Sequence, residues 1–89
     1  MTHVIIYSRP GCHLCEEMKS LVERVGLSIP IAVQEIDISG DEQLESLYGL
    51  EVPVLMVEGE KAAKYRVTEG DLRRIVAGRT GGPGELTHM

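Results

Sequence analysis

The chain has 89 residues, 43% hydrophobic and 26% charged, with a formal net charge of −5. That length holds one domain with a thin core. The acidic balance excludes a general nucleic-acid binder, which needs a basic surface to neutralise phosphates.

No apolar run approaches the roughly 20 residues of a membrane span. Met1-Thr2-His3 leads straight into Val4-Ile5-Ile6-Tyr7 with no basic segment before a long apolar stretch, so no secretory signal is expected and the cytoplasm is the default compartment. With three Tyr, no Phe and no Trp, the core must be aliphatic. His3 to Ser8, too short for a helix and rich in Val, Ile and Tyr, reads as a buried central strand. Arg9-Pro10-Gly11 breaks it. Cys12 to Val25 predicts a helix with Met18, Leu21, Val22 and Val25 on one apolar face, which Cys15 extends by a turn. Glu16, Glu17, Lys19, Glu23 and Arg24 cover the other side, and Gly26 is the natural stop.

Ile31 to Ile38 predicts a second strand, with Ile36 and Ile38 alternating against Glu35 and Asp37. Ser39-Gly40-Asp41-Glu42 reads as a capping box with Ser39 at the cap. A short helix follows, with Leu44, Leu47 and Tyr48 on its apolar face and Gly49 at its end. Pro53 opens a third strand, Val54 to Val57; Glu58-Gly59-Glu60 is a tight turn, and Lys61 to Arg66 is the hairpin partner. Thr68-Glu69-Gly70-Asp71 caps a last helix that buries Leu72, Ile75 and Val76 and closes at Gly78. The order is β-α-β-α-β-β-α, and its first part demands a parallel strand pair with a right-handed crossover. Residues 1–78 form one α/β domain; residues 79–89, punctuated by Thr, Gly and Pro, are expected as a flexible tail.

The two cysteines stand three positions apart, in Cys12-His13-Leu14-Cys15. In a reducing compartment this spacing points to metal or redox chemistry rather than to a structural staple. A disulfide-exchange centre needs a thiolate at neutral pH, a second thiol to resolve the mixed disulfide, and an open approach. Unpaired N–H groups and the positive dipole end of a helix N-terminus favour a thiolate. Cys12 is therefore expected as the exposed nucleophile and Cys15, one turn in on the apolar side, as the buried resolving thiol. Arg9 adds positive charge at the loop, as does His13 when protonated; Glu16 and Glu17 oppose it.

Two other readings compete. The cysteines could simply fill a core, or Cys12, Cys15, His13 and His3 could hold a metal. Structural zinc, however, draws on two separated ligand pairs, and His13 points away from Cys15 on a helix. Pro53 lacks an N–H, so it cannot extend a strand ladder, and the backbone of Val52 is left to pair with an extended substrate beside Cys12. An ordinary trans proline opening a strand is the bland alternative. Tyr7, Met18 and Met56 read as packing residues; His3 reads as partly exposed and inert, and His88 falls in the tail.

Tyr7-Ser8-Arg9-Pro10-Gly11-Cys12-His13-Leu14-Cys15 resembles the strand-loop-helix entry of glutaredoxins and their small bacterial glutaredoxin-like relatives, and Glu51-Val52-Pro53 resembles their Val-Pro. With the element order, the resemblance covers residues 3 to about 78. It implies a thioredoxin/glutaredoxin fold with a four-stranded mixed sheet flanked by three helices, a cis Pro53 facing the cysteines, and dithiol oxidoreductase activity. It also implies that Arg9 meets a carboxylate of glutathione and Asp71 its γ-glutamyl end. Several positions depart from the pattern. His13-Leu14 replaces Pro-Tyr, Glu51 stands where Thr is usual, and Val67-Thr68 replace a Gly pair that would let a ligand backbone come close. The redox centre carries over and the glutathione pocket carries over poorly. Thioredoxin itself is a weaker match: Gly11 replaces the Trp before its first Cys, and there is no candidate for its buried acid.

The expected function is exchange of disulfides in a protein or small-thiol substrate, with no resident cofactor. A thioredoxin reductase system or glutathione would be the reductant, and the protein would act as a monomer. The alternatives are a metal or iron–sulfur carrier using the same thiolates, which colour and metal content would reveal, and a redox-inactive adaptor that tolerates loss of both thiols.

Overall fold

The computed structural model describes residues 1–81, with side chains through residue 78. Its elements are β1 (Thr2–Ser8), α1 (His13–Gly26), β2 (Ile31–Asp37), α2 (Glu42–Tyr48), β3 (Val54–Val57), β4 (Glu60–Lys64) and α3 (Glu69–Gly81). The four strands make one sheet in the order β2-β1-β3-β4. β1 runs parallel to β2, with Val4 opposite Val33 and Tyr7 opposite Ile36. It runs antiparallel to β3, with Val4 opposite Val57 and Tyr7 opposite Val54. The mixed four-stranded sheet with three helices is thus the expected architecture.

The core follows from the period of the strands. Val4 and Ile6 on β1, and Leu55 and Val57 on β3, turn the same way and are fully buried. Met18, Val22 and Val25 of α1 and Leu72 and Val76 of α3 pack onto them. The alternate residue Tyr7 faces the other side and stacks on Tyr48 of α2, ring centroids 4.6 Å apart. Tyr7 is therefore half-buried against α2 rather than part of the main core. β2 is an edge strand and stays largely exposed, with Ile38 just beyond it fully buried. The β3–β4 turn places Glu58 and Gly59 both at positive φ (52° and 82°), the two-residue geometry that matches the twist of a hairpin.

Four local expectations are corrected. α1 keeps Gly26 inside the helix and caps on Leu27 in the right-handed region. The amides of Leu27, Ser28 and Ile29 turn back onto the carbonyls of Arg24 and Val25, so no left-handed glycine is needed. The cap of α2 is Asp41 rather than Ser39: its carboxylate accepts from the Leu44 amide at 3.0 Å, while Ser39 lies in the preceding turn with Gly40 at φ +86°. α2 buries none of its residues, and Leu47 is 58% exposed, because the helix touches the sheet mainly through Tyr48. Finally, α3 runs through Gly78 to Gly81. A glycine permits a helix to end without requiring it. The cap expected at Thr68 is present, its hydroxyl accepting from the Asp71 amide at 3.1 Å. Of the tail expected over residues 79–89, residues 82–89 lie outside the described residues. No helix among the described residues is long and apolar enough to cross a membrane.

The continuation of α3 has a measurable consequence. A Cβ added at Gly78 would meet nothing within 4 Å. Gly78→Ala should therefore stabilise the protein by about 0.5–1 kcal/mol in urea unfolding, through helix propensity alone. A left-handed stop at this position would give a loss instead.

Candidate active site

β1 ends at Ser8, whose side chain is buried. The chain then turns through Pro10 and Gly11, with Gly11 at φ +75°. An added Cβ there would meet no atom within 4 Å, so the dihedral and not the space calls for glycine. The turn delivers Cys12 to the N-cap of α1 in an extended conformation, φ −89° and ψ 113°. Its sulfur accepts a hydrogen bond from the backbone N–H of Cys15 at 3.1 Å. The two cysteines are disulfide-bonded, with Cα atoms 5.2 Å apart. Cys12 is half-exposed and Cys15 is 2% exposed, the asymmetry expected of an approachable thiol over a sheltered one. His13 is exposed beside them.

The sheet register brings the second wall to the same place. Because β1 and β3 are antiparallel with Tyr7 opposite Val54, the C-terminal end of β1 lies beside the N-terminal end of β3. Cys12 follows the first and Val52-Pro53 precedes the second. The Val52-Pro53 peptide is cis, as the resemblance implied. Pro53 is fully buried, and Val52 is half-buried. The Pro53 carbonyl accepts from the Tyr65 amide at 2.8 Å, and the Tyr65 hydroxyl donates to the Leu50 carbonyl at 3.0 Å. Tyr65 thus laces the loop before Pro53 to the segment after β4; Leu50 is 92% exposed.

A groove of about 630 Å³ runs from the cysteine motif along α1. Leu14, Met18, Leu21, Tyr65 and Val67 supply its apolar lining, and Asp71 stands at its rim. Val67 and Asp71 are thereby brought to the same groove as His13. The groove is crossed by an exposed ion pair between Arg66 and Glu17, at 3.5 Å.

The charged groups nominated by the sequence are engaged within the chain. Arg9 forms two hydrogen bonds with the Glu45 carboxylate, Nη1 to Oε2 and Nη2 to Oε1, both 2.6 Å. Nη2 also donates to the Gly49 carbonyl at 2.9 Å. Hydrogen bonding to Glu45 raises the Arg9 pKa further above its ordinary value. Asp71 is paired with Arg74. Glu51, expected to bring a bare negative charge, is paired with Lys61 and, at 3.6 Å, with Lys64. The Glu35 carboxylate pairs with Lys19 and accepts from the Ser8 hydroxyl. His3 is exposed beside Glu58, far along β1 from the cysteines. Glu45, Gly49, Tyr48 and Tyr65 were missed by sequence reasoning. Arg9 and Glu45 stand 36 positions apart in chain, and no local spacing announces their meeting.

The Lys61 hydrogen bond, aided by the charges of Lys61 and Lys64, holds the Glu51 carboxyl below its ordinary pKa. A lowered pKa in the folded state means stability that is present above the ordinary Glu value of about 4.3 and is lost as pH falls through the folded value. The Glu51 carboxyl signal should therefore titrate below the ordinary Glu range in NMR. Lys61→Met should move it back up.

The comparisons with known proteins agree with this geometry. The protein Ne2328 from Nitrosomonas europaea, solved in solution, is 30% identical with a TM-score of 0.74, covering 84% of this chain and 91% of that one. The protein XcR50 from X. campestris is 28% identical with a TM-score of 0.72, covering 84% and 96%. A mutant thioredoxin from Halobacterium salinarum is 24% identical with a TM-score of 0.62, covering 86% and 73%, and shares the fold. No curated protein matches the chain. The glutaredoxin-like domain (DUF836) matches residues 3–77, and the chain is a member of that family within the thioredoxin fold.

Proposed function

We propose that the protein is a dithiol–disulfide oxidoreductase in which Cys12 attacks and Cys15 resolves. One observation carries this reading: a single disulfide joins a half-exposed sulfur at a helix N-cap to a sulfur that is 2% exposed. In the reduced protein the Cys15 amide that now donates to the Cys12 sulfur would hold a thiolate there, a charge-assisted bond at the positive end of α1. That thiolate attacks a substrate disulfide, one substrate sulfur leaves as a thiolate, and a mixed disulfide with Cys12 remains. The Cys15 thiolate then attacks the Cys12 sulfur, the second substrate thiol leaves, and the Cys12–Cys15 disulfide closes. Two electrons pass from the protein to the substrate, and an external reductant of the thioredoxin reductase or glutathione type returns them. The chain carries only these two cysteines, which suits a reducing compartment such as the cytoplasm.

An extended polypeptide fits this reading better than glutathione. Arg9 and Asp71, the two groups that would anchor the charged ends of glutathione, are bound to Glu45 and Arg74. Val67 fills part of the groove wall that a glycine would leave open. The lysine partners of Glu51 reduce the repulsion that its charge alone would cause.

Cys15→Ser should accumulate mixed disulfides with substrate, visible by mass spectrometry, while Cys12→Ser should lose exchange altogether. In the reduced protein Cys12 should be alkylated faster than Cys15. Equal residual activity in the two variants, or faster labelling of Cys15, would rule out this division of labour. With glutathione mixed disulfides as substrate the native protein should be slow. Val67→Gly should speed it, by about tenfold if one or two hydrogen bonds of about 1 kcal/mol are regained. Glu51→Thr should add little.

A further inference from the structure

We propose that Arg9 is a positioning residue: with Glu45 and Gly49 it clamps the loop that carries Cys12 to the loop that carries Val52 and Pro53. The inference rests on the proposed disulfide exchange and gives Arg9 a different task from binding substrate or stabilising the thiolate. Arg9 lies three residues before Cys12, and Gly49 three residues before Val52. The guanidinium fork spans both oxygens of Glu45 and the Gly49 carbonyl at 2.6 to 2.9 Å. Lysine, a single point of charge, cannot reproduce three directed bonds.

The neighbourhood is built around that fork. A Cβ on Gly49 would lie 3.0 Å from Arg9 Nη2 and 2.5 Å from the Glu45 carbonyl oxygen, so glycine makes the room for the approach. Stacking of Tyr7 on Tyr48 joins the same two stretches of chain, two residues before Arg9 and one before Gly49. The Glu51 amide donates to the Tyr48 carbonyl at 2.8 Å, and Tyr65 holds the Leu50 carbonyl, so the segment from the clamp to Val52 is tied at each step. Arg9 and Glu45 are each about one-third exposed, and an isolated pair of that exposure adds little to stability. What the pair supplies is the spacing between a nucleophilic sulfur and the backbone edge along which an extended substrate would lie.

The test compares Arg9→Met, Glu45→Gln and the double variant, each first shown to be folded by circular dichroism. The probe substrate is a neutral decapeptide containing an internal disulfide. Both single variants should raise its KM, by about tenfold for a misplacement of an ångström or less. The double variant should be no worse than either, because one unit is being broken. Arg9→Lys should recover little. Alkylation of Cys12 by iodoacetamide, which needs the thiolate but not the Val52 edge, should change less than about twofold, since the thiolate is held by the Cys15 amide. The amide NMR signals of Glu51 and Val52 should shift alike in both single variants, a readout independent of activity. The inference is overturned if Glu45→Gln leaves or lowers the KM while Arg9→Met raises it, as a substrate-binding Arg9 would give. It is also overturned if Arg9→Met alone slows alkylation. A folded native protein that exchanges no disulfide at all would instead overturn the proposed function, and this role with it; the amide shifts would separate that case from a failed clamp.

Discussion

The backbone N–H of Cys15 points at the sulfur of Cys12, and the rest of the site is arranged around that contact. A helix start leaves amides without partners, and an oxygen of Ser, Thr, Asp or Asn usually takes one of them. Here a sulfur takes it, so the atom that ends the strand-to-helix turn is also the more exposed half of the disulfide. Its position depends on β1 stopping at Ser8, on Gly11 accepting φ +75°, and on Cys15 being drawn into the apolar side of α1. None of these is separable from folding, which ties the redox centre to the core instead of to a free loop.

The charges around the centre are mostly spent on one another. Arg9 is taken by Glu45, Glu51 by Lys61 and Lys64, Asp71 by Arg74 and Arg66 by Glu17. Exposed pairs of this kind contribute little to stability one by one. Their combined effect is chemical: few uncompensated charges are left on the groove to read a small charged ligand. Apolar surface from Leu14, Tyr65 and Val67 and the backbone beside Pro53 remain. This is the feature that separates the proposed polypeptide substrate from a glutathione-dependent reading of the same two cysteines.

Elsewhere the small core sets the limits. With no Phe or Trp in the chain, nine aliphatic side chains on β1, β3, α1 and α3 make the central cluster among the described residues. α2 stands largely outside it, anchored by the Tyr7–Tyr48 stack and by the Arg9 fork. A helix that buries no residue needs such ties, and both of them run to the end of β1 that leads to Cys12.

The sequence alone determined the order of the elements, the aliphatic core and the thiol pair at the mouth of α1. Those signals are local: periods of 2 and 3.6, turn glycines, and a motif four residues long. Thr68 as a cap and Cys12 above Cys15 were legible for the same reason. Where a choice between neighbouring residues was needed, local pattern misled. Asp41 outcompeted Ser39 because a carboxylate one residue from the helix start reaches the Leu44 amide, and Gly78 stayed helical because nothing forced the chain to leave α3. Only the tertiary structure decided what Arg9, Glu51 and Asp71 do. A side chain's charge is written in the sequence, but its partner is chosen by which distant residues the fold brings within about 3 Å. For Arg9 that partner comes from α2, 36 positions away, and the meeting turns a residue that reads as a ligand anchor into part of the frame.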